Sequence, residues 1–246
     1  MEIQELFGIK YAVTDRAEAV PYVRERLDDL RGSYVCFSNV HTIVMALENE
    51  DYRKSLNKAA FTFPDGVPVA RRLRRAGAVK ARRVAGPDFM DAMLRSTSDG
   101  TVRHFFYGST SETISKLEKS LKSRYPNIAI AGMYSPPFRE LSEGEEKEIY
   151  DIISEAKPDI IWIGLGAPKQ EYFMCSHLGR FDGVMFGVGA AFDFLAGTSK
   201  RAPKLIQKLS LEWLYRVVTD PRRLSKRYII TNSKYMLYCM THRYIL

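Results

Sequence analysis

An aspartate lies in a turn directly after a short apolar run, within residues 61–69, where its carboxylate could face a ligand. Pro64 restricts the backbone before Asp65, and Gly66 permits a sharp turn after it. An aspartate placed in this way projects beyond the carboxyl end of a strand, where open α/β sheets form their ligand crevices. The alternative is an Asx-turn, in which Asp65 bonds only to nearby backbone amides.

Two glycine-containing turns could line the same crevice. Gly164 and Gly166 end one apolar run, and Pro168 suits the first turn of the helix that follows. Gly187 and Gly189 end the next apolar run. Glycines let a ligand approach the backbone, and the free amides at a helix start favour phosphate. Either turn alone is also typical of plain packing, whereas the two together favour a site.

Polar and basic side chains close to these turns could bind a charged ligand. Asn39 could cap the helix that follows residue 38, or it could bond to a ligand at the rim of the crevice. His41 is more typical of a surface or cap histidine than of a catalyst. The six arginines within residues 71–83 mostly indicate a solvated face, but Arg83 could neutralise a phosphate near Asp65.

Several familiar motifs are missing from the sequence. No D-x-D pair and no cluster with metal-ligand spacing occurs, so we predict a site without a metal ion. The absence of G-x-G-x-x-G and of the P-loop pattern disfavours an NAD-dependent oxidoreductase and a P-loop enzyme. The three cysteines are widely spaced, which indicates neither a disulfide framework nor a zinc site and is typical of a reducing cytosol.

The elements that must position these residues alternate between strand and helix up to about residue 195. This alternation predicts an α/β fold with a doubly wound, mainly parallel sheet. Helices are predicted over residues 111–124 and 143–157. The predicted strands cover residues 10–13, 34–38, 60–63, 103–107, 128–132, 160–164 and 184–188.

After Gly197 the pattern changes to a basic helical tail, with helices predicted over residues 203–218 and 222–238. The chain has a net charge of +8, but residues 200–246 alone carry +9. Aromatic residues lie among these cations, which favours an anionic membrane surface as partner. The alternatives are a helical pair packed on the domain and a nucleic-acid partner. We therefore divide the chain into a catalytic domain of residues 1–197 and a membrane-binding appendage of residues 198–246.

Six motifs occur in an order and spacing that resemble one enzyme family. The chain resembles the WecG/TagA/CpsF glycosyltransferases, also called glycosyltransferase family 26, over about residues 5–228. The motifs are Pro64-Asp65-Gly66 and the segments of residues 83–88, 164–171, 187–193, 200–203 and 211–216.

The resemblance implies a Rossmann-like fold and an inverting, metal-independent transfer of a sugar from a UDP-sugar. The acceptor would be a polyprenyl-diphosphate-linked sugar used in bacterial cell-surface polysaccharide biosynthesis. No cofactor is expected, because the UDP-sugar is a substrate. The start of the chain has no signal-peptide pattern and no segment is long enough to span a bilayer. We therefore expect a cytoplasmic protein bound peripherally to the inner face of the membrane. The oligomeric state stays open, a homo-oligomer included.

The resemblance also implies roles for individual residues. Asp65 would be the general base, with an ordinary pKa sufficing for that role. The substrate-binding residues would be Asn39, Arg83, Gly166, Gln170, Gly187, Gly189, Arg216, Arg223 and Lys226. The last three would meet the diphosphate of the acceptor. Phe37 stands where many members carry a hydroxyl residue, so the donor sugar stays open among ManNAc, ManNAcA and glucose.

A protein that only binds nucleic acid through its basic tail is the alternative of a different class. Such a protein has no need for an aspartate facing two glycine turns, so we expect no nucleic-acid partner.

Overall fold

The computed structural model describes residues 1–208 and 211–241, apart from the side chains of Lys204, Lys208, Arg216, Arg223 and Arg227. The strands are β1 (Glu2–Leu6), β2 (Ile9–Val13), β3 (Tyr34–Ser38), β4 (Phe61–Pro64), β5 (Arg103–Gly108), β6 (Ala129–Tyr134), β7 (Ile160–Gly164) and β8 (Val184–Gly187). The helices are α1 (Arg16–Glu25), α2 (Val40–Glu48), α3 (Glu50–Asn57), α4 (Val67–Arg75), α5 (Gly86–Ser96), α6 (Ser111–Arg124), α7 (Glu143–Glu155), α8 (Lys169–Ser176), α9 (Ala191–Ala196), α10 (Lys204–Lys208), α11 (Glu212–Thr219) and α12 (Pro221–Thr241).

Strands β3 to β8 form one six-stranded sheet in the order β4-β3-β8-β7-β5-β6. Every neighbouring pair in this sheet is parallel. The carboxyl ends of all six strands therefore meet at one edge, as required for a crevice of the kind predicted. The doubly wound α/β architecture is confirmed, and the boundaries of the predicted strands shift by no more than two residues.

Helices cover both faces of this sheet, which explains why its central strands are continuously apolar. On β7, Ile161 and Ile163 join one buried cluster with α2, α3, α7 and α8. Trp162, between them, joins the opposite cluster with α1, α5, α6 and α9. All three side chains are fully buried, so β7 anchors the glycine turn that follows it.

The first predicted strand does not belong to the parallel sheet, so this part of the expectation was wrong. β2 instead pairs antiparallel with β1 in a separate two-stranded sheet. Phe7 and Gly8 connect the two strands with positive φ values of 55° and 73°. Sequence reasoning missed β1 because most of its side chains are exposed and polar, which leaves no apolar pattern.

The tail packs on the α/β body through α12, which lies against α2. Leu224 and Tyr235 are buried, and the Tyr235 ring meets Phe7 edge-on with ring centroids 6.1 Å apart. The single helix predicted over residues 203–218 is wrong. Two helices, α10 and α11, occupy this stretch, and Leu211 lies outside both. The second tail helix, predicted over residues 222–238, is present as α12, which begins at Pro221 and extends to Thr241.

Candidate active site

A cavity of about 610 Å³ lies at the carboxyl edge of the sheet. Its walls come from the segments that follow β3, β4, β5, β7 and β8, together with α11 and α12. Seven of the predicted site residues line it: Asn39, Asp65, Arg83, Gly166, Gln170, Gly187 and Gly189. Lys226 is exposed on α12 and is not among the lining residues. The side chains of Arg216 and Arg223 lie outside the described part of the chain.

The turn after β4 holds Asp65 at the floor of the cavity. Its backbone amide donates to the Ser38 carbonyl at 2.8 Å, which continues the β3–β4 pairing beyond the strand end. Gly66 then begins α4 as its N-cap residue. The Asp65 side chain is only 20% exposed, and its Oδ1 lies 3.8 Å from the Arg83 Nε. A carboxylate with access to the cavity and a cationic neighbour can accept a proton there.

The surroundings of Asp65 change its proton affinity. Burial raises the pKa of Asp65 from 3.8 to about 6. The charge of Arg83 opposes this rise in pKa, whereas the nearby charges of Glu212 and Asp88 add to it. The expectation of an ordinary pKa was therefore wrong. Glu212 is far from Asp65 in sequence, so the motif around Asp65 gives no sign of it.

Three carboxylates and two guanidinium groups form a half-buried network beside the cavity. Arg83 Nη2 donates to Glu212 Oε2 at 2.9 Å, and Arg83 Nη1 lies 3.6 Å from Asp88. Arg201 Nη1 donates to Asp88 at 2.7 Å, and its Nε donates to Glu212 at 3.3 Å. With Asp65 as its third carboxylate, the network carries one excess negative charge when fully ionised, and Glu212 and Asp88 add to the raised pKa of Asp65.

The loop after β3 brings Asn39 to the cavity, where it also caps α2. Asn39 Oδ1 accepts from the backbone amides of His41 at 2.9 Å and Thr42 at 3.3 Å. The capping interpretation is therefore confirmed. His41 also lines the cavity, and its Nδ1 lies 3.4 Å from the Thr231 hydroxyl of α12. Phe37, one residue before the end of β3, contributes an apolar surface to the cavity and is only 5% exposed.

The two glycine turns lie side by side, because β7 and β8 are neighbours. Gln170 links them from the first turn of α8. Its Oε1 accepts from the Gly166 amide at 3.2 Å, and its Nε2 donates to the Gly187 carbonyl at 3.1 Å. A Cβ on Gly187 would lie 2.6 Å from Met174 Cε and 3.1 Å from Gln170 Nε2, so these side chains pack closely against the glycine. The helix predicted to open at Pro168 begins one residue later, at Lys169, with Pro168 as its N-cap residue.

The match to a family profile extends over almost the whole chain. Residues 4–245 match the profile described as "Glycosyl transferase WecG/TagA/CpsF family". The chain belongs to this family. A relative from Bacillus spizizenii is 31% identical over 217 residues, which cover 88% of this chain and 82% of the relative. A relative from Staphylococcus aureus is 31% identical over 194 residues, covering 78% and 74%. Both are named N-acetylglucosaminyldiphosphoundecaprenol N-acetyl-beta-D-mannosaminyltransferase.

As a member of the WecG/TagA/CpsF family the protein is a glycosyltransferase, and the cavity at the carboxyl edge of the sheet is its candidate active site. Sequence reasoning assigned no role to several residues at the site of this WecG/TagA/CpsF protein. Asp88, Arg201 and Glu212 lie in the motifs of residues 83–88, 200–203 and 211–216. Their charge and their position inside a motif were the signals that could have identified them as site residues. Trp213 and Tyr228, whose ring centroids are 6.0 Å apart, also line the cavity from the tail.

The residues that the structure describes include neither a metal-binding cluster nor a membrane-spanning helix. Within residues 1–208 and 211–241, no group of three or more His, Cys, Asp or Glu side chains is arranged to hold a metal ion. Over the same residues, no helix combines the length and the apolar character needed to cross a bilayer.

Proposed function

We propose that this glycosyltransferase moves a sugar, with inversion, from a UDP-sugar to a sugar linked to polyprenyl diphosphate. The observation that carries the proposal is the position of Asp65, which lies with Arg83 on the floor of a 610 Å³ cavity at the carboxyl edge of the sheet. The names of the relatives support a GlcNAc-diphosphoundecaprenol acceptor and ManNAc as the first donor sugar to test. The product would serve bacterial cell-surface polysaccharide biosynthesis.

In the proposed reaction, an acceptor hydroxyl oxygen attacks the anomeric carbon of the donor. As this bond forms, the bond from the anomeric carbon to the UDP oxygen breaks, and UDP leaves with its electron pair. Asp65 takes the hydroxyl proton, which requires its ionised form. The negative charge that develops on UDP would be stabilised by Arg83 and by the start of α8, where Gly166 and Ala167 line the cavity.

The acceptor would enter from the side of the tail. Trp213 and Tyr228 face the cavity, and aromatic rings of this kind suit the apolar face of a sugar. Farther along α12, apolar side chains that are more than half exposed lie among cations. They are Ile229, Met236, Leu237 and Met240, with exposed Arg222 and Lys226 nearby. We propose that this surface rests on an anionic membrane, with Arg216, Arg223 and Lys226 directed to the acceptor diphosphate.

The test is a panel of donors, UDP-ManNAc, UDP-ManNAcA and UDP-glucose, each with a short-chain GlcNAc-diphosphate lipid. We expect transfer from one donor, an inverted anomeric configuration in the product by NMR, and no loss of rate after exhaustive EDTA treatment. The absence of transfer from every UDP-sugar, or retention of configuration, would contradict the proposal. A loss in EDTA restored by Mn²⁺ or Mg²⁺ would contradict metal independence alone.

A further inference from the structure

A buried carboxyl group lies directly behind the cavity, and the proposed chemistry leaves it without a role. Glu171 follows Gln170 in the first turn of α8, and its side chain is fully buried. Its Oε1 accepts from Gln170 Nε2 at 2.8 Å. Its Oε2 is buried without a close hydrogen bond, and the buried hydroxyl of Tyr52 interacts with the same carboxyl group and lowers its pKa. Burial raises the pKa of Glu171 from 4.5 to about 7, although the bond from Gln170 acts in the opposite direction. A carboxyl group that only filled space here would be costly.

Glu171 accepts one of the three hydrogen bonds that hold the side-chain amide of Gln170. Both hydrogens of Nε2 are used, one by the Gly187 carbonyl at 3.1 Å and one by Glu171. Oε1 accepts from the Gly166 amide at 3.2 Å. All three partners require the same orientation of the amide. In a flipped amide, Nε2 would face the Gly166 N–H, and Oε1 would face the oxygens of Gly187 and Glu171. Gln170 is itself only 5% exposed, so a hydrogen without an acceptor would be a buried unsatisfied group.

We propose that Glu171 is a positioning residue, which holds the Gln170 amide in its bridge between the two glycine turns. The bridge fixes the spacing of the turns after β7 and β8, and these turns line the cavity that would receive the donor diphosphate. Without the acceptor at Glu171, the amide would rotate toward water in the cavity and the turns would separate. The link to the diphosphate rests on the proposed function, whereas the link to Gln170 does not.

The first test measures amide hydrogen exchange by NMR and needs no substrate. In Glu171→Leu the acceptor is lost while volume is kept, and we expect the Gly166 amide to exchange about tenfold faster, as for the loss of one hydrogen bond. Glu171→Gln keeps an acceptor oxygen and should restore most of the protection. The Asp65 amide, bonded to the Ser38 carbonyl, is the internal control and should not change in either variant.

Thermal unfolding separates positioning from packing. The lost hydrogen bond and the removal of a buried carboxyl group act in opposite directions on stability, so the melting temperature should change little, and faster exchange confined to Gly166 supports positioning. Exchange at the wild-type rate in Glu171→Leu would overturn the proposal. General acceleration of exchange, including at Asp65, would also overturn it, because Glu171 would then stabilise the whole fold.

Kinetics then test the consequence for catalysis. We expect Glu171→Leu to lower kcat by about tenfold to a hundredfold with the KM for the acceptor unchanged, and Glu171→Gln to recover most of kcat. An unchanged kcat despite faster exchange would overturn the role in positioning the turns for transfer. If the wild-type protein transferred no sugar from any UDP-sugar, the proposed function would fail, but the exchange experiment would still decide the role of Glu171 toward Gln170.

Discussion

At the scale of single residues, Asp65 combines access to the cavity with a raised pKa, the pairing expected of a general base. Asp65→Asn keeps the shape of the side chain but cannot accept the proton in the same way. We expect kcat to fall by about two to four orders of magnitude, the range typical of a lost general base. Initial rates with the preferred donor check this expectation.

Circular dichroism and thermal unfolding provide the control for this variant. Asp65→Asn removes a buried charge, so the fold should be intact and no less stable than the wild type. A folded variant with near-normal kcat would remove Asp65 from the role of base.

The pH dependence of transfer follows from the same carboxyl group. Asp65 acts as a base only when ionised, so activity should rise with pH through about 6, the pKa of Asp65 in the folded protein. The charge of Glu212 adds to this raised pKa. Glu212→Gln removes that charge, so the acid limb of the profile of kcat/KM against pH should move to lower pH.

Glu155→Gln, an exposed change on α7, is the matched control and should leave the acid limb in place. An acid limb that does not move in Glu212→Gln would show that Glu212 does not influence the base. A profile without any limb near pH 6 would argue that another group controls the rate.

The sequence predicts those parts of the site that depend on residues close together along the chain, and misses contacts between residues far apart along it. The structure places Asp65, Arg83 and the glycines at one cavity, and each of them lies in a short motif that can be read from the sequence. The partners of Arg83 were not predicted. The contact between Arg83 and Glu212 joins residues 129 positions apart, and no local pattern specifies such a pair. The raised pKa of Asp65 was missed because its main cause is burial, which depends on segments distant in sequence that pack around the turn.

At the scale of elements, burial decides which parts of the fold can be predicted. β7 and β8 are apolar throughout because both faces of the sheet are covered, and their ends were located to within one residue. β1 has a polar, exposed surface and was missed. Leu211 is not helical and lies between α10 and α11. No proline or glycine in the sequence marks this break in the predicted helix.

The close approach of β5 and β7 beside the cavity gives a prediction at this scale. Gly108 ends β5 with φ +127°, and a Cβ there would lie 2.6 Å from the Gly164 carbonyl carbon. Since both strands are fixed by pairing, backbone must move to relieve the clash. We expect Gly108→Ala to lower the free energy of unfolding by roughly 2–4 kcal/mol, measured by urea denaturation.

Gly144→Ala is the matched control, because a Cβ there meets nothing within 4 Å. Gly144 lies in α7, where alanine should raise the free energy of unfolding by roughly 0.5–1 kcal/mol. Equal effects of the two substitutions would contradict the interpretation that the β5–β7 approach requires Gly108.

At the scale of the whole molecule, the tail is both a neighbour of the cavity and a packed part of the body. Arg201 and Glu212 pair with residues of the body, and Leu224 and Tyr235 are buried. The division after residue 197 stays a prediction. Cutting the chain there would expose these contacts, so charge substitutions test membrane binding more cleanly than truncation does.

The variant Arg222→Glu/Lys226→Glu reverses two exposed charges on α12. Each cation near an anionic surface contributes about 1 kcal/mol, so we expect this variant to bind anionic liposomes at least tenfold more weakly in a sedimentation assay. Binding of the wild type should weaken as salt rises, because screening shortens the range of each charge.

Lys119→Glu, an exposed reversal on α6, is the control and should bind like the wild type. Equal weakening by Lys119→Glu would argue for a general effect of net charge. Undiminished binding of the α12 variant would leave the tail as a packed helical pair with no membrane role.

Under the proposed function, the bond between Arg83 and Glu212 makes donor binding and the contact of α11 with the body reciprocal. A diphosphate that binds Arg83 competes with the Glu212 carboxylate, so thermodynamic linkage requires each to weaken the other by the same factor. Saturating UDP should therefore loosen α11, seen as faster hydrogen exchange across Glu212–Thr219. In Glu212→Gln this response should largely vanish, whereas an equal response would disprove the competition. Donor concentration would then set how often α11, which carries Trp213 at the cavity, is released from Arg83 to admit a lipid-linked acceptor.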